Sequence, residues 1–152
     1  MASPELELKR HLFVAQKADK YTLLDPQKGR RGKAYEFAKD LADAKVDKAN
    51  IHGLESLAWS TESIADILDY IRVRVGRDNR WTKNNDVGIR LANVLETDLR
   101  KDAEEFYASH TPEDEDAIRR LHLDLCREFI SHLRSLYEFH KARRGKDDEE
   151  ES

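Results

Sequence analysis

Apolar residues at helical spacing define the last long segment of the chain. They recur three or four positions apart: Ile118, Leu121, Leu125, Phe129, Leu133 and Leu136. Three further apolar residues widen this arc to more than half of the helix circumference: Leu123, Ile130 and Tyr137. Because a helix turns once every 3.6 residues or so, an arc of this width predicts a long helix buried in a hydrophobic core.

Cations repeat every seven residues along the same segment. They form a group that we name the C-terminal stripe: Arg120, Arg127, Arg134 and Lys141. Two helical turns take about 7.2 residues, so the four side chains are expected on one drifting line about 30 Å long. Positive charge along a rigid helix suits contact with a polyanion, but nearby carboxylates can also pair with these cations. Both interpretations stay open.

The remaining sequence indicates an all-α, single-domain bundle of about five or six helices, with this long helix at its C-terminal end. Only three prolines and six glycines punctuate 152 residues, which disfavours a many-stranded fold. Periodicity and capping residues predict helices over residues 4–17, 34–44, 48–59, 64–75, 87–106 and 112–144. In the first helix, Leu8, Leu12 and Ala15 are expected to face the core.

Three segments are predicted to lie between helices or to start one. Residues 21–33 (YTLLDPQKGRRGK) are rich in turn formers and read as a basic loop that completes an N-terminal unit, residues 1–33. A second, polar loop surrounds Asn84 and Asn85. Thr111-Pro112-Glu113-Asp114 has the composition of a helix start: a capping hydroxyl, a proline in the first turn and two carboxylates.

The C-terminal residues are predicted to leave the bundle. Gly145 follows the last periodic residues and is expected to end the final helix. The helical domain then covers residues 1–145. Residues 146–152 are strongly acidic and lack apolar side chains, so a disordered tail is expected there.

Cysteine usage and hydropathy limit the setting of the chain. Cys126 is the single cysteine, so no disulfide forms within the chain and a reducing, cytoplasmic setting is expected. No apolar run reaches the roughly 18 residues of a membrane span, and no signal-peptide pattern opens the sequence, so no membrane partner is expected. His122 lies four residues before Cys126, but no second ligand pair accompanies them. We expect neither a metal nor another cofactor.

Charge is sorted along the sequence although the formal net charge is only −4. Residues 96–116 hold nine carboxylates against two cations, whereas residues 72–90 hold six cations against two carboxylates. Five of these six cations form a group that we name the mid-chain cluster: Arg72, Arg74, Arg77, Arg80 and Lys83. A net charge near zero therefore does not exclude a basic face that binds nucleic acid.

An enzymatic alternative rests on two arginine–histidine pairs. Arg127/His132 and Arg134/His140 satisfy the loose Arg-x4–6-His pattern of the helical HEPN ribonucleases, where such a pair polarises a phosphate and moves a proton. On an uninterrupted helix, however, the members of these pairs point about 140° and about 120° apart. No glycine-rich phosphate loop or nucleophile elbow is present in the sequence either. A non-catalytic function is therefore favoured.

Two segments resemble a known family. Residues 68–80 (LDYIRVRVGRDNR) and 125–145 (LCREFISHLRSLYEFHKARRG) are similar to the small, all-helical subunit of type III CRISPR effector complexes, most closely to its type III-A form. That family tends to show a helix ending in a Gly-Arg pair and a late basic Tyr/His-Lys stretch; here Gly76-Arg77 and residues 137–141 hold those places. The resemblance covers roughly residues 30–145. It departs at Ile51-His52, where the family usually has an arginine in the second position.

This resemblance implies a non-catalytic, RNA-binding subunit of a ribonucleoprotein. Its expected partners are guide and target RNA, the other effector subunits and further copies of itself. Lysine and arginine side chains would hold RNA through its phosphates without reading its bases. The expected RNA-binding residues are those of the mid-chain cluster and the C-terminal stripe.

A protein-only adaptor is the main alternative: a helical bundle that uses its charged faces and acidic tail for assembly. The cations would then pair with carboxylates of the same chain or of a protein partner. Trp81 also has two interpretations, since a tryptophan beside Arg80 can stack on an exposed base but is more often part of a core.

Overall fold

Helices dominate the computed structural model, which describes residues 3–110 and 114–151, with side chains up to residue 146. The helices of this part of the chain are α1 Pro4–Thr22, α2 Lys33–Asp43, α3 Lys48–Ser60, α4 Ile64–Arg77, α5 Lys83–Asn93, α6 Leu99–His110 and α7 Glu115–Glu151. Two short strands follow α1, β1 Leu24–Asp25 and β2 Arg30–Arg31. A 3₁₀ turn (Asn79–Thr82) precedes α5, and a π-helical turn (Val94–Asp98) joins α5 to α6. The predicted all-α bundle with a long C-terminal helix is confirmed.

The central element is α7, which packs against α1, α2, α3 and α6. Its apolar arc is buried as predicted, with at most 1% exposure for Ile118, Leu121, Leu125, Phe129, Leu133 and Tyr137. Leu136, at the margin of the arc, is partly buried. Removal of this apolar surface from water is the main favourable contribution to folding of such a bundle.

The buried face of α1 differs from the predicted one. Leu8 and Leu12 are 61% and 55% exposed, and Ala15 is also exposed, so their predicted inward orientation is wrong. Larger side chains occupy the inner face instead. Phe13 packs on Phe106 with ring centroids 5.1 Å apart, and Tyr21 packs edge-on against Phe129 at 5.3 Å. Aromatic rings bury more apolar area than leucines, which favours this face over the alternative.

A small β-hairpin forms within the predicted basic loop. Leu24 pairs with Arg31 and Asp25 with Arg30 in an antiparallel register. The Asp25 carboxylate accepts a hydrogen bond from the backbone N–H of Gln27 (2.9 Å), and Gly29 takes a positive φ of 67°. The turn formers were therefore identified correctly. The strands were not predicted, because a strand of two residues is too short to show a sequence pattern.

The two ends of α7 were not equally predictable. Asp114 caps the helix start, because its Oδ1 atom accepts hydrogen bonds from the backbone N–H groups of Asp116 (3.0 Å) and Ala117 (3.3 Å). Thr111, Pro112 and Glu113 lie outside the described residues. At the other end, α7 continues past Gly145 to Glu151, so the predicted helix end is wrong. Among the described glycines only Gly29 has the positive φ that lets a glycine end a helix. Residues 146–151, predicted as a disordered tail, are part of α7.

Asn84, Asn85 and Asp86 adopt left-handed backbone conformations, with φ of 53°, 60° and 56°. The Arg90 side chain holds this turn, since its Nε donates to the Asn85 carbonyl (2.8 Å) and its Nη2 to the Asn84 carbonyl (2.6 Å). Asparagine and aspartate tolerate the left-handed region better than other residues with a Cβ atom. The predicted loop around Asn84 and Asn85 is confirmed as a break before the regular part of α5.

Substitutions at Asn85 are expected to report this backbone strain. Asn85→Val should lower the free energy of unfolding by about 1–2 kcal/mol, because a β-branched residue is unfavourable at positive φ, whereas Asn85→Gly should be neutral or slightly stabilising. Urea unfolding followed by circular dichroism measures the difference. Asn93→Val is the matched control, since Asn93 is the exposed last residue of α5 with a right-handed φ of −65°, and asparagine and valine have similar helix propensities. Equal losses for Asn85→Val and Asn93→Val would contradict the strain argument.

Candidate nucleic-acid interface

Arg127, in the middle of the C-terminal stripe, points into the bundle and closes the end of α3. Its Nε donates to the Ala58 carbonyl and its Nη2 to the Thr61 carbonyl, each at 2.8 Å. The guanidinium also lies 5.7 Å from the Trp59 ring centroid, and the side chain is only 15% exposed. Carbonyls in the last turn of a helix lack partners within the helix, so Arg127 satisfies groups that α3 leaves open.

Arg134 takes part in an ion-pair network between α3 and α7. Its guanidinium lies 3.9 Å from a Glu55 carboxylate oxygen and 3.7 Å from a Glu138 oxygen. Glu138 also contacts the His52 Nε2 at 2.6 Å and the Lys48 Nζ at 3.5 Å. The hydrogen bond with His52, followed by the charges of Arg134 and Lys48, lowers the pKa of the Glu138 carboxyl. Arg134 is therefore occupied by carboxylates of its own chain.

The two ends of the stripe are exposed. Arg120 has no ion-pair partner among the described residues, and Lys141 lies 5.7 Å from the centroid of the Tyr137 ring on its own helix. The exposed Arg120 and Lys141 are separated by Arg127 and Arg134, whose side chains contact α3, so the stripe is not a continuous positive surface. The structure therefore does not bring the four stripe residues together as a phosphate track.

The mid-chain cluster divides over two faces of α4 and the turn that follows it. Arg72 lies beside Glu96, with Nη2 3.4 Å from the carboxylate. Arg74 instead stacks over the Tyr70 ring at 3.9 Å, and the Tyr70 hydroxyl donates to the Asn50 carbonyl at 2.8 Å. The two arginines are two residues apart, or about 200° around the helix, so they cannot share one contact surface.

Arg80 connects the end of α4 with the turn before α3. Its Nη2 donates to Asp78 Oδ2 at 2.7 Å and its Nη1 to the Lys45 carbonyl at 3.2 Å. The hydrogen bonds from Arg80 hold the pKa of the Asp78 carboxyl below its usual value, and the charge of Lys83 acts in the same direction. Arg77 and Lys83 are exposed and have no ion-pair partner among the described residues.

The contacts of Arg80 and Tyr70 bring the segment around residues 45–50 beside α4 and the turn after it. We name the cations of these two segments the basic end: Lys45, Lys48, Arg74, Arg77, Arg80 and Lys83. The carboxylates in contact with these cations or acting on their charge include Asp47, Asp78 and Glu138. Lys45 and Lys48 were not among the predicted RNA-binding residues, because only the tertiary contacts of Arg80 and Tyr70 place their segment beside α4. An excess of cations on one end is the arrangement that attracts phosphates.

Trp81 belongs to the core. Its side chain is fully buried, which confirms the core interpretation and removes it as a base-stacking platform. Its indole Nε1 has no hydrogen-bond partner among the described residues.

The arginine–histidine pairs do not converge on one site. α7 is uninterrupted through both pairs. Arg127 binds carbonyls of α3, whereas His132 lies 3.7 Å from Glu128 on its own helix. His140 is 8% exposed and packs edge-on against Tyr35 at 4.7 Å, and burial lowers its pKa. This geometry offers no shared phosphate position for either pair.

His122 and Cys126 share one buried acceptor at the π-helical turn. The His122 Nε2 lies 2.7 Å and the Cys126 Sγ 3.5 Å from the Leu95 carbonyl oxygen. Burial lowers the pKa of His122 and raises the pKa of the Cys126 thiol. Within residues 3–110 and 114–146, no group of three or more potential ligands is placed to hold a metal ion.

Acid sensitivity is expected from the two buried histidines. His122 and His140 have lowered pKa values in the fold, so the unfolded chain binds more protons, and stability should fall as pH drops below about 6.5. Urea midpoints measured between pH 7.5 and pH 5.5 test this, since carboxylates with lowered pKa values titrate at lower pH. The double variant His122→Gln/His140→Phe should flatten the dependence. If the urea midpoint of the double variant depends on pH as steeply as that of the unchanged protein, the loss of stability at low pH comes from other groups.

Comparison of the chain with models of known protein families, with curated proteins and with solved structures finds no match. In the described part of the chain, every helix is too short or too polar to span a bilayer.

Proposed function

We propose that the chain is a non-catalytic RNA-binding subunit of a cytoplasmic ribonucleoprotein, in the manner of the type III CRISPR small subunits that its sequence resembles. The basic end would hold phosphates of guide or target RNA, while other faces meet neighbouring subunits and further copies of the chain. The observation that carries this proposal is the exposure of Arg77 and Lys83, which have no ion-pair partner among the described residues and lie in the chain segment that also carries Arg74 and Arg80.

The chemistry of the basic end suits phosphate contact without base recognition. Lysine and arginine side chains bind phosphate oxygens irrespective of sequence, and the fully buried Trp81 leaves no tryptophan at this end for stacking. Arg74 is held over Tyr70, so its guanidinium is partly ordered before any ligand arrives. Binding through three or four phosphate contacts is expected to be weak and strongly dependent on salt.

Fluorescence polarisation with single-stranded RNA of mixed sequence tests the proposal. Three to four phosphate contacts predict that affinity falls by about 20- to 50-fold between about 50 mM and about 200 mM salt. RNAs of different base composition should bind within about threefold of each other, because no base contact is proposed. Affinity that is independent of salt, or absence of binding at about 50 mM salt, would remove the proposal.

A protein-binding adaptor is a second candidate, supported by the exposed side of α1. Leu8 and Leu12 lie one turn apart and are both more than half exposed. Arg127 and Arg134 contact groups of α3, which also makes the C-terminal stripe less suited to RNA.

Leu8→Ser/Leu12→Ser should then abolish co-purification with neighbouring subunits while RNA affinity stays unchanged. Loss of RNA affinity without loss of co-purification would exclude this role for α1.

A further inference from the structure

A groove of about 550 Å³ lies between the end of α1, the β1–β2 hairpin and the π-helical turn that leads into α6. Its volume falls within the range of roughly 300–1,000 Å³ that holds small molecules. Leu23 and Leu24 line it and are 56% and 51% exposed, so the groove offers apolar contact surface. None of the predicted RNA-binding residues lines it.

The groove is held in shape by the contacts of the hairpin. Gly32 fits so closely against α1 that an added Cβ atom would lie 2.2 Å from the Lys20 carbonyl oxygen. The Gly32 N–H donates to the Leu23 carbonyl at 3.2 Å. On the far side, the Lys33 ammonium pairs with Asp98 of the π-helical turn. The walls are therefore positioned before any ligand binds, which lowers the entropic cost of binding.

Carboxylates that line the groove are largely occupied by groups of the protein. Asp102 accepts the Tyr21 hydroxyl at 2.8 Å and lies 3.5 Å from the buried Lys17 ammonium. Asp98 pairs with Lys33, and Asp25 accepts backbone N–H groups of its own turn. These contacts neutralise or satisfy most of the negative charge in the groove.

Fewer of the cations that line the groove are paired with groups of the protein than of the carboxylates. Lys20, Lys28 and Arg30 line it and have no ion-pair partner among the described residues. Two carboxylates in the same walls, Asp19 and Glu36, likewise accept no side-chain hydrogen bond within the described residues. A ligand that fits all of these groups needs an anion, hydrogen-bond donors and an apolar surface.

We propose that this groove binds a nucleoside monophosphate. The phosphate lies against Lys20, Lys28 and Arg30, the base lies on Leu23 and Leu24, and ribose hydroxyls or base amino groups donate to Asp19 or Glu36. An inorganic phosphate would leave the leucines unused, and an uncharged nucleoside would leave the cations unused. The site is separate from the basic end, so this inference does not depend on the proposed RNA-binding function.

Isothermal titration calorimetry of the full chain with adenosine 5′-monophosphate (AMP), adenosine and inorganic phosphate tests the inference. AMP is expected to bind at least tenfold more tightly than either component. Lys28→Glu/Arg30→Glu should weaken AMP at least tenfold, and Leu23→Ser/Leu24→Ser should weaken AMP and adenosine alike. Arg77→Glu/Lys83→Glu is the matched charge control, and should leave AMP affinity within twofold of the unchanged protein. Circular dichroism of each variant checks the fold.

Several results would overturn the inference. They are phosphate binding as tight as AMP, undetectable AMP binding at millimolar concentration, or equal losses from charge reversal at the hairpin and at the basic end. Tenfold tighter binding of an acidic peptide than of AMP would reassign the groove to a protein partner. If a 5′-phosphorylated trinucleotide displaces AMP, the nucleoside monophosphate that binds the groove can be the end of an RNA. If the trinucleotide does not displace AMP, the ligand is a free nucleotide. RNA binding by the basic end is measured separately, so either proposal can fail alone.

Discussion

Arg127→Ala is expected to lower the free energy of unfolding by about 3 kcal/mol. The substitution removes charge-assisted hydrogen bonds to the Ala58 and Thr61 carbonyls, and it also removes the guanidinium beside Trp59. Bonds of this type contribute about 1.5–3 kcal/mol each when their loss leaves an acceptor unpaired. Chemical denaturation followed by circular dichroism measures the change, and Trp59 fluorescence should report local opening at the end of α3.

Arg120→Ala is the matched control, because Arg120 belongs to the same stripe but is exposed and has no ion-pair partner among the described residues. Its effect on stability should stay within about 0.5 kcal/mol. Arg127→Lys should recover less than half of the loss, since an ammonium cannot bridge two carbonyls as a planar guanidinium does. If Arg127→Ala were as stable as Arg120→Ala but bound RNA at least tenfold more weakly, Arg127 would be a phosphate contact and the structural role would be wrong.

Arg77→Glu/Lys83→Glu is expected to weaken RNA binding by at least about 30-fold at about 50 mM salt, because two attractive charges become repulsive. The slope of log affinity against log salt should decrease by about 1.4, which corresponds to two lost contacts with a single strand. Both side chains are exposed, so unfolding midpoints should change little. Arg77→Lys should retain most of the affinity, since phosphate attraction depends mainly on charge.

Charge reversal elsewhere separates a local contact from a general charge effect. Lys9→Glu/Lys101→Glu makes the same change in net charge at exposed positions of α1 and α6. This control should reduce RNA affinity less than about threefold. Equal losses in the two double variants would show that RNA responds to net charge alone, and the basic end would no longer be a binding site.

The sequence was sufficient for the fold because the apolar arc of α7 is wide and long. An arc of more than half a helix leaves one solution for the buried face, and the structure buries it. In α1 two narrower faces compete, one with Leu8 and Leu12 and one with Phe13 and Tyr21. Only the positions of Phe106 and Phe129 decide between them. Periodicity identifies a helix but does not choose between two apolar faces of similar width.

The candidate site was less predictable, because the role of a cation depends on its tertiary partners. Arg127 binds carbonyls that are 69 and 66 residues away in sequence. A backbone carbonyl carries no residue-specific signal, so no pattern can reveal such an acceptor. Lys45 likewise reaches the basic end through the contact between Arg80 and its carbonyl. Seven-residue spacing placed the stripe on one side of α7, but spacing alone does not show whether that side faces solvent or a neighbouring helix.

Cys126 makes the unmodified chain a convenient background for labelling studies. Its thiol is fully buried, and burial raises its pKa, so the reactive thiolate is scarce in the folded protein. A cysteine introduced at the hairpin or at the basic end should therefore react first with maleimide probes without removal of the native residue. In the unmodified chain, the rate at which Cys126 itself becomes modified measures how often the packing between α7 and the π-helical turn opens.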